Sequence, residues 1–334
     1  MGYIYTKSGK LAKRLYFGAV LLFEGLYYTF KNRVLADGGT FLENELTTIS
    51  QDASLVLTPN AYKVGKLYSA VPNDGTGDFT VDRNSTATYI DEDGIIRTAL
   101  ANVPRIDYST GEAALLVEPQ RTNLITYSEA FDNASWNRSG INITANTDVS
   151  PTGLINADLS TAESGDYYIM TTSITLDVGM YNISVYAKGV GASIGKKITI
   201  LPWETGTALL TGGFFNFFLL TDYWQRFNVT FTVTTSGTMR IRIDPTRTTT
   251  GSTVEVGDEV LIWGAQLEQA STASSYIPTN GTTVTRLADD ISVPTPAGVT
   301  AITETIEGVD QIPITTIPAT YSLPVGNINK VRML

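Results

Sequence analysis

Three stretches in the second half of the chain alternate apolar and polar residues with a period of two. In residues 224–233, Phe227, Val229, Phe231 and Val233 alternate with Asn228, Thr230 and Thr232. In residues 181–187, Tyr181, Ile183, Val185 and Ala187 alternate with Asn182, Ser184 and Tyr186. In residues 239–243, Met239, Ile241 and Ile243 alternate with Arg240 and Arg242. Period two sends successive side chains to opposite faces of a strand, so each stretch offers one face to a core and one to water. Repeated along a chain with Gly- and Thr-rich connections, the pattern predicts a sandwich or jelly roll. The expected fold is mainly β: a jelly-roll β-sandwich, an irregular N-terminal anchoring region and a short β-rich C-terminal tail.

The chain has 334 residues, 43% hydrophobic and 17% charged. Real cores are therefore affordable, and the length suggests more than one folding unit. A net charge of −10 argues against a nucleic-acid partner, because phosphate binding needs clustered Lys and Arg. The one basic cluster is Lys7, Lys10, Lys13 and Arg14. There is no Cys, which removes disulfides, thiolate nucleophiles and Cys-ligated metals. There is no His either, so the usual general base and zinc ligand are missing. No cofactor and no enzymatic activity are expected. Residues 10–23 imitate the basic and apolar regions of a signal peptide. The apolar run ends at Glu24 without a cleavage pattern, and it is too short to span a bilayer. A packing arm is the expectation, and membrane insertion is not.

Four stretches follow from punctuation and pattern. Residues 1–54 form an N-terminal arm for attachment or oligomerisation. Thr40 with Glu43 makes a capping-box pattern over a short helix at 41–51. Residues 55–125 read as a small β region, with a hairpin whose strands flank Asp91-Glu92-Asp93-Gly94. Residues 126–290 carry the jelly roll. Residues 291–334 form a β tail broken by Pro313, Pro318 and Pro324, with little core of its own, expected to pack on another surface such as a neighbouring subunit. The tail and the arm together predict self-association, as a homotrimer.

The run Leu115-Leu116-Val117-Glu118-Pro119-Gln120-Arg121-Thr122-Asn123-Leu124 continues through Tyr127-Ser128-Glu129, Phe131 and Trp136. Upstream stand Phe79-Thr80, Arg83, residues 85–88, Gly94 and Ala101-Asn102-Val103-Pro104-Arg105. Downstream stand Trp224-Gln225-Arg226-Phe227, the run Ile262-Trp263-Gly264-Ala265-Gln266-Leu267-Glu268, and Ser275-Tyr276-Ile277-Pro278-Thr279 with Thr285-Arg286. This order of motifs resembles bacteriophage virion structural proteins of the fibre, tail and decoration type, over roughly residues 79–290. The resemblance implies a jelly roll like the carbohydrate-binding modules of glycanases, a place on the virion surface, and other virion proteins as partners. It also implies an anchoring role for Glu118, Arg121 and Asn123, with Glu118 and Arg121 as a candidate ion pair. A motif shared by otherwise diverse proteins suits folding better than specificity.

Sugar binding asks for exposed aromatic platforms with planar polar partners beside them. The candidates are Tyr186, Trp203, Tyr223 and Trp224, with Tyr167 and Tyr168 behind them. Tyr186 draws interest because it stands on the polar phase of its strand. For any single ring the plainer reading is core or subunit interface. Trp136 and Trp263 read as core plugs. The apolar run 214–220 reads as a buried strand or a covered interface. Asp91, Glu92 and Asp93 suit a solvated hairpin tip better than a calcium loop, and Asp289-Asp290 suit a domain-end turn. The functional expectation is a phage structural protein (head fibre, tail fibre or capsid decoration) that binds host cell-surface polysaccharide. The alternatives are a purely architectural virion protein and a polysaccharide depolymerase.

Overall fold

A computed structural model describes residues 53–334, apart from 59–61, 64–65, 68, 70–71, 73–74, 164–166, 204–208, 213–215 and 248–253. The predicted arm up to residue 52, with its helix at 41–51, lies outside the described residues, as do Phe214 and Phe215. Among the described residues the secondary structure is strand, with a single 3₁₀ turn at Gly191–Ser193. The expected hairpin forms from Ala87–Ile90 and Ile96–Ala99. Its turn closes where the Gly94 N–H donates to the Asp91 carbonyl at 3.0 Å, with Gly94 at φ +79°. That left-handed conformation favours glycine.

The described residues divide into two compact units, those of Gln120–Arg286 with Ile95–Arg97 in one, and the other described residues in the second. The larger is the sandwich. Its first sheet runs in the order Ile141–Val149, Ile155–Ala162, Glu259–Glu268, Gly179–Val190, Gln225–Thr235, Leu209–Thr211. Its second runs Trp136–Ser139, Tyr168–Thr171, Gly237–Arg247, Lys197–Trp203, Asn216–Leu219, with Ile174–Leu176 also pairing Gly237–Arg247. The pairings are antiparallel. The apolar phases of the three alternating stretches meet between the sheets. Ile183, Val185, Phe227, Val229, Phe231, Met239, Ile241 and Ile243 share one buried cluster with Ile169, Ile198 and Ile200. The jelly-roll sandwich is therefore what the period-two pattern demands.

One strand changes phase. Ser184 pairs with Gln266, yet Tyr186 pairs with Trp263, so Glu259–Glu268 carries an extra residue there. Gly264 sits in that bulge at φ +64°, and a Cβ on it would lie 3.2 Å from both the Tyr186 and Tyr276 rings. Glycine fits a bulge of this kind because it accepts left-handed backbone and close neighbours. Before the bulge Val260 and Ile262 face the core; after it Ala265 and Leu267 do. Trp263 is fully buried, but in the layer behind this sheet, against Tyr276 with ring centroids 4.4 Å apart. Trp136 lies in the core between the sheets.

The second unit joins segments far apart in sequence. Its larger sheet runs Val309–Asp310, Ile302–Ile306, Gly326–Met333, Ala114–Val117, Ile106–Asp107, and Leu55–Leu57 pairs with Gly326–Met333. A second sheet runs Thr320–Ser322, Asp290–Pro294, Thr80–Asp82. The core gathers Leu55, Leu57, Phe79, Leu115, Val117, Ile291, Val293, Ile302, Ile328, Val331 and Met333. The tail thus has an intrachain core, contrary to expectation, and it folds with the residues before 120. The reason is the strand Gly326–Met333. Asn, Lys and Arg interrupt it, but its buried residues Ile328, Val331 and Met333 supply the missing partner. Residues 312–317 form no strand, and Ile312 is 91% exposed.

Candidate functional site

The outward phase of the second sheet carries the best-formed candidate. With Ile169, Ile198, Ile200, Ile241 and Ile243 turned into the core, alternation turns Tyr168, Lys197, Trp203, Phe217, Arg240, Arg242 and Asp244 the other way. Arg242 pairs across strands with Met170 and Leu201, and Arg240 with Trp203. The Arg242 guanidinium lies 4.4 Å from the Tyr168 ring centre and 4.7 Å from that of Trp203. Its Nε donates to Asp244 Oδ1 at 2.6 Å. Stacking and ion pairing together fix the cation, and the cation in turn holds both rings on the sheet. Trp203 remains 36% exposed, enough to offer a ring to a ligand. At the far end of the same strand, Lys197 Nζ lies 5.9 Å from the Phe217 ring centre.

The other predicted platforms fare differently. Tyr186 is not one: it is 8% exposed. Its polar-phase position does point away from the core, but residues 269–279 lay a further layer there. Tyr276 and Trp263 pack edge-on to it, and the Arg226 guanidinium lies 5.3 Å from its ring centre. Arg226 is held by Ser184 Oγ and by the Ser274 carbonyl at 2.6 Å. Tyr167 is buried in the core. Tyr223 is exposed in the turn before Gln225–Thr235, and Trp224 beside it donates from Nε1 to the Val149 carbonyl at 2.9 Å. Sequence reasoning placed Tyr168 behind these rings, and it missed the role of Arg242 altogether. The signal was present: arginines on the polar phase of residues 239–243.

The three anchoring candidates are all held by their surroundings, but Glu118 and Arg121 do not form the expected ion pair. Glu118 Oε2 accepts from Arg105 Nη1 at 2.7 Å, and the Arg121 Nε lies 3.9 Å from Glu268 Oε2. Asn123 is fully buried. Its Nδ2 donates to the Ala265 and Ile277 carbonyls at 3.1 and 2.9 Å. Its Oδ1 accepts from the Ile125 and Leu267 N–H groups, each at 3.1 Å. Asp289, expected in a domain-end turn, is buried at the centre of an ion network. Oδ1 takes Arg83 Nη1 at 2.7 Å, Oδ2 takes Arg105 Nη2, and Oδ2 also accepts the Glu118 N–H at 2.9 Å. Two buried guanidinium groups need such a carboxylate, because an unpaired buried charge is very costly.

A concavity of about 420 Å³ opens elsewhere in the sandwich unit. Glu129, Asp132, Asn146, Asn156, Asp158 and Asn280 line it with Ala130, Pro278 and Thr279. Asp158 accepts the Phe131 N–H at 2.8 Å and the Asn146 N–H at 3.0 Å. Burial nonetheless pushes its carboxyl up to about 6. Burial also raises Glu129, which accepts from Tyr276 Oη and Asn156 Nδ2 at 2.9 Å each. Its walls present carboxylates and amides and no aromatic ring. Among the described residues no group of three or more Asp or Glu is arranged to hold a metal ion. No helix there is long and apolar enough to cross a membrane.

No family model matches the chain, and no curated protein matches it. Among solved structures it is similar to the CBM22-1 xylan-binding domain of Paenibacillus barcinonensis Xyn10C, at 11% identity and a TM-score of 0.30, over 46% of this chain and 94% of that one. A putative sugar binding protein from Bacteroides thetaiotaomicron gives 12% identity and a TM-score of 0.30, over 44% and 95%. The enzymatically active domain of bacteriophage CBA120 tailspike protein 4 gives 8% identity and a TM-score of 0.29, over 43% of this chain and 21% of that one. The assignment of a jelly roll rests on the strand pairing described above.

Proposed function

We propose that this chain is a non-enzymatic structural component of a bacteriophage particle, whose jelly roll holds host-surface polysaccharide on the outward face of its second sheet. The row Tyr168–Arg242–Trp203 carries the sugar-binding half of this reading. The apolar face of a pyranose stacks on an exposed ring, and planar polar groups nearby fix its hydroxyls. Rings mounted on strands and locked by a shared cation lose little freedom on binding, which favours affinity. The particle half is supported by the ordered motifs from Phe79 to Arg286 and their resemblance to phage virion proteins. On this reading the chain works at the virion surface, as a head fibre, tail fibre or decoration protein, assembled as a homotrimer with other virion proteins.

A glycan array spotted with host surface polysaccharides tests the sugar-binding half. Binding is expected for the intact chain and, on Trp203→Ala, a loss of about 2 kcal/mol, which is roughly 30-fold in Kd, as for a central aromatic anchor. An intact chain that binds no host sugar leaves architecture alone, and release of reducing ends from capsular polysaccharide would mark a depolymerase. Light scattering should give three times the 36.1 kDa chain mass, and immunogold should decorate intact particles; a monomer or bare particles would remove the particle half.

A further inference from the structure

We propose that this face takes an acidic polysaccharide, one carrying carboxylates along its chain; this rests on the glycan-binding reading above. The observation behind it is an imbalance of charge. Lys197, Arg240 and Arg242 stand on the outward phase against Asp244, in a chain whose net charge is −10. Asp244 pairs with Arg242. Lys197 and Arg240 form no ion pair among the described residues, and the Arg240 Nε is buried there without a hydrogen-bond partner. Both cations are half-buried, and Arg240 stands beside an exposed tryptophan with no counter-ion of its own. A ligand carboxylate supplies the counter-ion that Lys197 and Arg240 lack, because guanidinium and ammonium groups bind carboxylates through charge-assisted hydrogen bonds.

The spacing favours a polymer over a single sugar. Arg240 is the cross-strand partner of Trp203. Lys197 lies six residues away along the strand Lys197–Trp203, about 20 Å at ~3.3 Å per residue. One monosaccharide stacked on Trp203 reaches Arg240, and only an extended chain reaches Lys197 as well. Neutral glycans would use the rings and leave both cations unanswered. The acidity of the rest of the chain would repel an acidic polymer elsewhere and concentrate it on this face.

The test uses the full-length chain and two matched probes: polygalacturonate, and the same polymer with its carboxyl groups reduced to alcohols. Calorimetry at low salt should show the acidic polymer binding at least tenfold more tightly, as one hydrogen bond to a charged group implies. Raising the salt from about 0.05 to 0.5 M should erase most of that preference. The double variant Lys197→Gln, Arg240→Gln should bind both polymers alike, with its circular dichroism unchanged. Trp203→Ala should weaken both. Equal affinity of the intact chain for the two polymers overturns the acidic preference and leaves glycan binding standing. Failure to bind either polymer overturns the preference, and failure on the glycan array as well removes the reading beneath it.

Discussion

Asp289→Asn probes the buried ion network with little change in shape. In the intact protein the Asp289 carboxylate faces Arg83 at 2.7 Å, Arg105 through its other oxygen, and the Glu118 N–H at 2.9 Å. Both guanidinium groups are fully buried. The amide retains one acceptor oxygen and turns an N–H₂ donor towards a group that is itself only a donor. The two buried cations then lose the carboxylate they share. Removing one partner of a buried pair costs about 3–5 kcal/mol, largely because the remaining charge stays desolvated. Hydrogen exchange read by mass spectrometry on peptides covering Ala114–Val117 and Asp290–Pro294 should therefore accelerate by roughly a hundred- to a thousandfold or more, at about 1.4 kcal/mol per factor of ten. Salt at 1 M should not rescue it, since buried charges are little screened. Replacing Arg83, Arg105, Glu118 and Asp289 together by apolar residues should come closer to the wild type than Asp289→Asn alone. A rise in exchange below tenfold would refute the view that charge pairing locks this unit.

Two further outcomes follow from the sandwich unit. Asn123→Ala strips four buried hydrogen bonds at once, and at about 1–3 kcal/mol for each stranded group, even with partial relaxation, urea denaturation should show a loss of about 4 kcal/mol; a loss under about 1 would mean water takes its place. Asp158 has a folded-state value near 6 against an ordinary 3.8, so the folded state prefers it protonated. Its contribution is therefore most favourable below about pH 4 and is lost as pH rises through 6. The shift corresponds to at most about 3 kcal/mol, discounted to about 1–2 because the group lines an open pocket. The stability difference between wild type and Asp158→Asn should move by that amount against the wild type from pH 4 to 7, and a flat difference would contradict it.

The sandwich was legible because its strands are two-faced. Where Phe227, Val229, Phe231 and Val233 meet a core and Asn228, Thr230 and Thr232 do not, alternation states the burial directly. Alternation fails where a strand is covered on both sides. Gly179–Val190 buries its polar phase too, so Asn182, Ser184 and Tyr186 look solvent-facing in sequence and are not. It fails again at Gly264, where one inserted residue reverses the phase. The ion network was illegible for another reason. Asp289 and Arg83 are 206 residues apart, and charged residues are read as solvated by default. Of the candidate face, Trp203 and Tyr168 were visible as rings, but nothing local says that Arg242 stands between them. That fact belongs to the register of three strands.

The motif residues and the candidate face divide the labour of the chain. Arg83, Arg105, Glu118, Asn123, Trp263, Gln266, Glu268 and Tyr276 are buried, and each lies in one of the ordered motifs. Their bonds fasten the following loop to the strand, Ile277 N–H to Gln266 Oε1 at 2.7 Å and Ser274 Oγ to Glu268 Oε2 at 2.7 Å, and tie one distant segment, Tyr276 Oη to Ser128 Oγ at 2.7 Å. Buried polar groups of this kind tolerate little change, since each substitution strands its partners. Tyr168, Lys197, Trp203, Arg240 and Arg242 fall between the motifs, on the outward phase of the second sheet. A frame fixed by buried polar bonds and a face free to vary would let one scaffold exchange one sugar for another without refolding. On the proposed reading, glycan specificity resides in the outward cations and rings, and the buried motif residues do not encode it.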